Sequence, residues 1–134
     1  MGMEEDMQAL CTANEFMNHN HIKLKELSEG RAVMELTVVK ESLNPYGIVH
    51  GGALYTMGDC ASGIAARSDG RRYVTLSSSL NFLRSGKEGD TIQAVGQVRH
   101  RGRTTCYVDV DILGPDGRLL ASGNYTFFCI SAEK

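Results

Sequence analysis

An α+β fold, with one antiparallel sheet of five or six strands and one dominant helix, is predicted by three observations. One segment, residues 53–66, is apolar almost throughout and has helical length. Six other segments have the alternation and composition of strands. Most of the connections are short, and short connections imply antiparallel neighbours, because parallel pairs need long crossovers.

The elements follow in order. Residues 4 to about 18 read as an amphipathic helix, with Met7, Leu10, Cys11, Asn14 and Met17 towards one side. Residues 22–27 read as a strand and 28–30 as a turn. Residues 31–39 form a second strand, in which Ala32, Met34, Leu36 and Val38 alternate with polar or β-branched neighbours. The long helix opens after the segment 44–52 and runs to about Ser68, where Asp69-Gly70 supplies turn chemistry. Strands are then expected at 73–83, 91–100, 104–113 and 119–130. The connections 101–103 and 114–117 read as hairpin turns. A helix that is apolar nearly all round must be buried nearly all round. The sheet is therefore expected to curl around it, with a partner subunit covering the remainder.

Composition bounds the function. A chain of 134 residues fits one domain, with residues 1–20 as an N-terminal helical arm and 21–130 as the core. Apolar residues make up 42% and charged residues 22%, ordinary values for a globular protein. The net charge of −2 gives no basic excess for nucleic acid. No apolar run is long enough to span a membrane, and the acidic N-terminus lacks a signal core. Four scattered cysteines without a CxxC pair read as reduced thiols in the cytoplasm. His19 and His21 are close in sequence, but no cluster has zinc spacing, so no metal and no cofactor are expected.

The chemistry concentrates in Asn44-Pro-Tyr-Gly-Ile-Val-His50-Gly51-Gly52 and in Asp59, the one carboxylate of the apolar helix. A His-Gly-Gly turn at a helix start presents free N–H groups and the positive dipole end. Such donors can hold an oxygen that gains negative charge. On the helix wheel Asp59 shares a face with Gly52, Tyr55, Thr56, Ser62, Gly63 and Ala66, a small and polar stripe on an apolar rod. Gly58 and Gly63 each cost about 1 kcal/mol in a helix interior, so a backbone or a substrate is expected close by.

Together these residues resemble the hotdog-fold acyl-CoA thioesterases, in particular the PaaI-like, phenylacetate-pathway branch. The pattern is Asn44, Gly47, His50, Gly51, Gly52 and Asp59, nine residues after the His, with Ala61 in a small position. It continues through Tyr73-Val-Thr75-Leu, Leu80-Asn-Phe-Leu-Arg84, Gly89-Asp90 and Arg101-Gly102-Arg103. The similarity covers about residues 22–128.

The resemblance implies a hotdog fold, a sheet wrapped around one long helix, and hydrolysis of small or medium, including aromatic, acyl-CoA thioesters. It implies that Asp59 is the base or the nucleophile and that the Gly51 N–H is the oxyanion donor. Asn44 reads either as a holder of water or carbonyl oxygen, or as an Asn-Pro turn. His50 reads as a residue beside the thioester, or as one that only fixes the turn. Thr75 orients the Asp or is simply a β-branched strand residue. Arg99, His100, Arg101 and Arg103 form the one basic cluster, and by resemblance it lies near the coenzyme A phosphates, with Gly52, Gly102 and Arg84 also binding substrate. Arginine suits phosphate through bidentate bonds. Tyr46, Met57, Phe82, Phe16 and Met17 are candidates for the acyl lining. Family precedent places Asp59 and Gly51 of one site on different protomers, so a homodimer is required and a homotetramer expected. The alternatives are a hotdog hydratase or dehydratase, which pairs a His with an acid, and a non-catalytic acyl-CoA-binding protein.

Overall fold

The computed structural model describes Gly2 to Ser131; Met1 and residues 132–134, which the single-domain reading includes, lie outside it. The elements are α1 (Met3–Ala13), α2 (Glu15–His19), β1 (Lys23–Ser28), β2 (Arg31–Thr37), α3 (Gly51–Arg67), β3 (Tyr73–Phe82), β4 (Thr91–Arg101), β5 (Thr105–Leu113) and β6 (Leu119–Cys129). The six strands form one antiparallel sheet in the order β1-β2-β4-β5-β6-β3.

The first helix differs from the sequence reading. It breaks at Asn14, whose Oδ1 accepts the Met17 N–H at 3.0 Å and so caps a second short helix. Asn18 closes the joint by donating to the Cys11 and Thr12 carbonyls, each at 3.1 Å. The neighbour rule also fails once. β3 does not pair with β4 across their short connection; it lies at the far edge beside β6. The backbone of that connection bonds elsewhere. The Leu83 and Arg84 N–H groups go to the Leu120 carbonyl, and the Val49 N–H goes to the Gly86 carbonyl.

The sheet curls around α3, which packs chiefly on β2, β4 and β5. This is the hotdog arrangement. Helix and sheet backbones come close at Gly96 of β4, where an added Cβ would lie 2.9 Å from the Ala61 carbonyl carbon. Only glycine lets helix and strand meet there. Residues 61–66 of the helix are all buried, whereas Gly52 and Tyr55 near its start are exposed. Exposure also gathers on edge strand β3, where Val74, Leu76 and Phe82 are 46, 60 and 53% accessible. Among the described residues no helix is long and apolar enough to cross a membrane.

Candidate active site

The site begins at the N-terminus of α3. His50 is extended (φ −68°, ψ 136°) and turns the chain into the helix. A helix start leaves its first N–H groups without intrahelical partners. The His50 carbonyl takes the Ala53 and Leu54 N–H groups at 2.9 and 3.3 Å. The His50 Nδ1 takes the Gly52 N–H at 2.7 Å. Among the described residues the Gly51 N–H is left without an acceptor. Gly51 lines a cleft of about 330 Å³ together with Asn44, Leu54, Phe82 and Arg84.

Two site expectations change in this light. Gly52 does not offer its N–H to substrate, because His50 already holds it; a Cβ at Gly52 would sit 3.0 Å from His50 Nδ1. Asn44 uses its Oδ1 on the Tyr46 and Ile48 N–H groups, at 2.9 and 3.3 Å, so the carbonyl end of its amide builds the loop. His50, likewise, caps the helix.

Asp59 lies eight residues further along α3 than Gly51, roughly 12 Å along the axis. Its Oδ1 accepts a hydrogen bond from Thr75 Oγ1 of β3 at 2.6 Å. Among the described residues its Oδ2 has no hydrogen bond, and no cation lies within ion-pair distance. The carboxylate lines a second cleft, of about 300 Å³, whose walls include Leu10, Cys11, Met17, Arg67 and Phe127. Of the residues expected to line an acyl pocket, Met17 does so here. Met57 is fully buried in the core and Tyr46 is 88% exposed. Phe82 belongs to the Gly51 cleft, and Phe16 to a third cleft beside His50.

The surroundings of Asp59 restrict its chemistry. Burial first, then the charges of Asp59 and Cys11, push the Cys60 thiol up to about 12. A thiol so held is no nucleophile at neutral pH. Tyr125 passes beneath the helix and donates to the Tyr55 carbonyl at 2.7 Å. Its hydroxyl would lie 2.6 Å from a Cβ at Gly58, which explains that glycine: a buried side chain, rather than a second backbone, fills the place. Tyr55 Oη and Ser78 Oγ share a hydrogen bond between α3 and β3. At Gly63, by contrast, the neighbours stand at ordinary contact distance, and the residue lines the Asp59 cleft.

The basic cluster divides. Arg101 does not face solvent as a phosphate ligand. Its Nη1 lies 2.8 Å from Asp69 Oδ2 and 2.8 Å from the Ala66 carbonyl, and its Nη2 reaches the Ala65 carbonyl at 3.3 Å. The guanidinium turns inward because the C-terminus of α3 offers free carbonyls and a negative dipole end. Asp69 also accepts from Tyr73 Oη at 2.6 Å and from Arg71 Nε at 2.8 Å. Burial raises the Asp69 carboxyl, but the bonds from Tyr73 and Arg71 and the charge of Arg101 outweigh it, and the net shift is downward. Burial, then the Asp69 bond, lift the Tyr73 hydroxyl to about 12. Arg71 further binds the Gly102 and Arg103 carbonyls at 3.1 and 2.8 Å, fixing the hairpin backbone. The side chains of His100 and Arg103 remain exposed, as does Arg84.

Comparison with known proteins places this geometry. The thioesterase superfamily model matches residues 46–121. Acyl-coenzyme A thioesterase PaaI of Escherichia coli is 36% identical over 100 residues, covering 75% of this chain and 71% of that protein. The E. coli PaaI structure superposes with a TM-score of 0.93 at 29% identity, covering 96% of this chain and 94% of that one. A hypothetical thioesterase of Streptococcus pneumoniae, solved with coenzyme A, gives a TM-score of 0.80 at 39% identity over 84% of this chain and 91% of that one. The same S. pneumoniae protein has been solved with an aspartate, and with a threonine sixteen residues later, replaced by alanine. Human acyl-coenzyme A thioesterase 13 is 27% identical over 92% of this chain and 91% of its own length. A sheet wrapped on α3, a helix start with a spare amide, and these matches together show that the chain belongs to the thioesterase superfamily and is related to PaaI.

Proposed function

We infer that this chain is an acyl-CoA thioesterase whose site is built from two copies. The observation that carries the reading is that, among the described residues, α3 holds a carboxylate without a counter-ion and an amide without an acceptor, roughly 12 Å apart along the axis. One thioester carbonyl cannot touch both within a single chain. A second copy brings its Gly51 N–H to the Asp59 cleft.

The chemistry follows. Thr75 fixes Oδ1, which leaves Oδ2 to take a proton from water. The water oxygen attacks the carbonyl carbon, and the carbonyl oxygen becomes an oxyanion. The partner's Gly51 N–H donates to it, aided by the helix dipole. The tetrahedral intermediate collapses with cleavage of the C–S bond. Acid and coenzyme A leave, and the sulfur recovers the proton from Asp59. His50 and Asn44 hold the loop that aims Gly51.

Several features support the reading. Asp59 and Thr75 are separated by the interval found between the two residues altered in the S. pneumoniae relative. Edge strand β3 offers unpaired backbone and exposed Val74, Leu76 and Phe82, a natural face for a second copy. Arg84 lies in the Gly51 cleft, and His100 and Arg103 stand at the exposed hairpin with Gly102, where they suit coenzyme phosphates. The substrates are small or medium acyl-CoA thioesters, aryl ones included, in the cytoplasm, and the assembly is a dimer of dimers.

Asp59→Asn tests the reading through thiol release. The turnover number should fall by about 10²–10⁴ with the assembly intact. Full hydrolysis in the variant would remove Asp59 from the mechanism.

A further inference from the structure

The thioesterase reading leaves one cation of the Asp59 cleft unused. Arg67, the last residue of α3, lines that cleft together with Leu10, Cys11, Ile64 and Phe127. Helical side chains lean towards the N-terminus of their own helix. The Arg67 head accordingly lies over Gly63, its Nη1 being 3.7 Å from where a Cβ there would stand. Gly63 is one turn, about 6 Å, beyond Asp59. At Gly63 the guanidinium thus rests at ordinary contact distance on the helix surface. Its Nη2 donates to the Tyr73 carbonyl at 2.9 Å, which fixes the head.

That is the whole of its bonding among the described residues. No carboxylate of theirs lies within ion-pair distance of Arg67, in contrast to Arg71 and Arg101 close by, which share Asp69. A half-buried cation held by one neutral carbonyl still lacks a charge partner among the described residues. Its remaining N–H donors form a planar fork suited to two oxygens. Asp59 and Thr75 occupy one part of the cleft, and Arg67 stands one turn away from them, with apolar side chains and thiols around it.

We propose that Arg67 determines acyl specificity by pairing with a carboxylate at the far end of the acyl group, so that the preferred substrates are coenzyme A monothioesters of short dicarboxylic acids. The proposal rests on the thioesterase reading for the position of the reacting carbonyl beside Asp59. The chemistry at the thioester is unchanged: water cleaves the C–S bond, and the distal carboxylate takes no part. A guanidinium left unpaired by a methyl-ended chain keeps its desolvation cost, which turns a binding contact into discrimination.

The test compares kcat/KM for the coenzyme A monothioesters of four- to six-carbon linear dicarboxylic acids with that for monocarboxylic acyl-CoAs of the same length. The full chain is used, and free thiol is the readout. The dicarboxylic member should be favoured at least tenfold at one or more lengths. In Arg67→Gln the ratio should fall to about one or below, and in Arg67→Lys it should keep an intermediate value, because a point charge replaces a fork. A ratio is independent of how much of a variant folds. Calorimetric titration with the non-hydrolysable thioether analogues of the same pairs gives the binding ratio without turnover. A native ratio near one, or a ratio unmoved by Arg67→Gln, overturns the proposal. Hydrolysis of the monocarboxylic members without carboxylate preference defeats this inference alone. Failure to hydrolyse any of these members, or a medium-chain or aryl acyl-CoA assayed beside them, defeats the thioesterase reading, and the thioether ratio still decides the role of Arg67.

Discussion

The two ends of α3 are finished in opposite ways. At the C-terminus the last three helical carbonyls are all used. The Ala65 carbonyl takes Ser68 Oγ at 2.7 Å and Arg101 Nη2 at 3.3 Å, the Ala66 carbonyl takes Arg101 Nη1 at 2.8 Å, and the Arg67 carbonyl takes the Gly70 N–H at 2.9 Å. Asp69, 7% accessible at its side chain, holds Arg101 in place. At the N-terminus His50 satisfies Gly52, Ala53 and Leu54, and the Gly51 N–H remains over. One helix thus carries a sealed end that holds the sheet and an open end that can act on a ligand. A spare donor is costly in a core and useful in a cleft.

The largest break in this contrast is at the sealed end. Arg101→Leu leaves the Asp69 carboxylate beside the helix terminus with Arg71 and Tyr73 but one cation fewer, and frees the Ala66 carbonyl, a loss of about 1–3 kcal/mol. Urea denaturation should show that loss, while KM for acyl-CoA in the folded enzyme stays near the native value. A raised KM with unchanged stability would return Arg101 to the coenzyme site.

A smaller effect sharpens the same contrast through pH. In the folded chain Asp69 titrates below its ordinary 3.8, and in the unfolded chain it regains that value. Its contribution is therefore complete above 3.8 and is lost as pH falls through the lower folded value. The stability difference between the native chain and Asp69→Asn should be constant from neutral pH down to about 5 and should shrink below about 4. A difference that persists at the lowest pH would mean that the charge of Asp69 is not what seals the helix.

Much of this was legible in the sequence, for local reasons. The His-Gly-Gly start and the carboxylate nine residues after the His are fixed relative to one another by helical geometry alone, and the strands follow from alternation and turn residues. What escaped was long-range. Arg101 reads as part of a basic hairpin, because its sequence neighbours are basic; its actual partners, Asp69 and the end of α3, lie more than thirty residues away. Tyr125 beneath Gly58 is hidden for the same reason. The position of β3 at the far edge overrides a short connection that suggested β4 as its antiparallel neighbour. Asn14 did carry a local signal, an Asn placed to cap a new helix, inside a pattern that reads as continuous.

The central claim is that the open end of one copy serves the carboxylate of another, and mixing two inactive variants tests it most directly. Gly51→Pro removes the spare N–H; proline is favoured at the first helical position, and the extended His50 accepts a proline after it. Alone, it should lower kcat by about 10²–10³. Asp59→Asn alone should do at least as much. Co-refolded in equal amounts, the two chains form mixed dimers in which one site carries both defects and the other carries neither, so roughly a quarter of the native rate should return. A mixture no more active than the sum of its two components would place Asp59 and the oxyanion donor on the same chain and contradict the account.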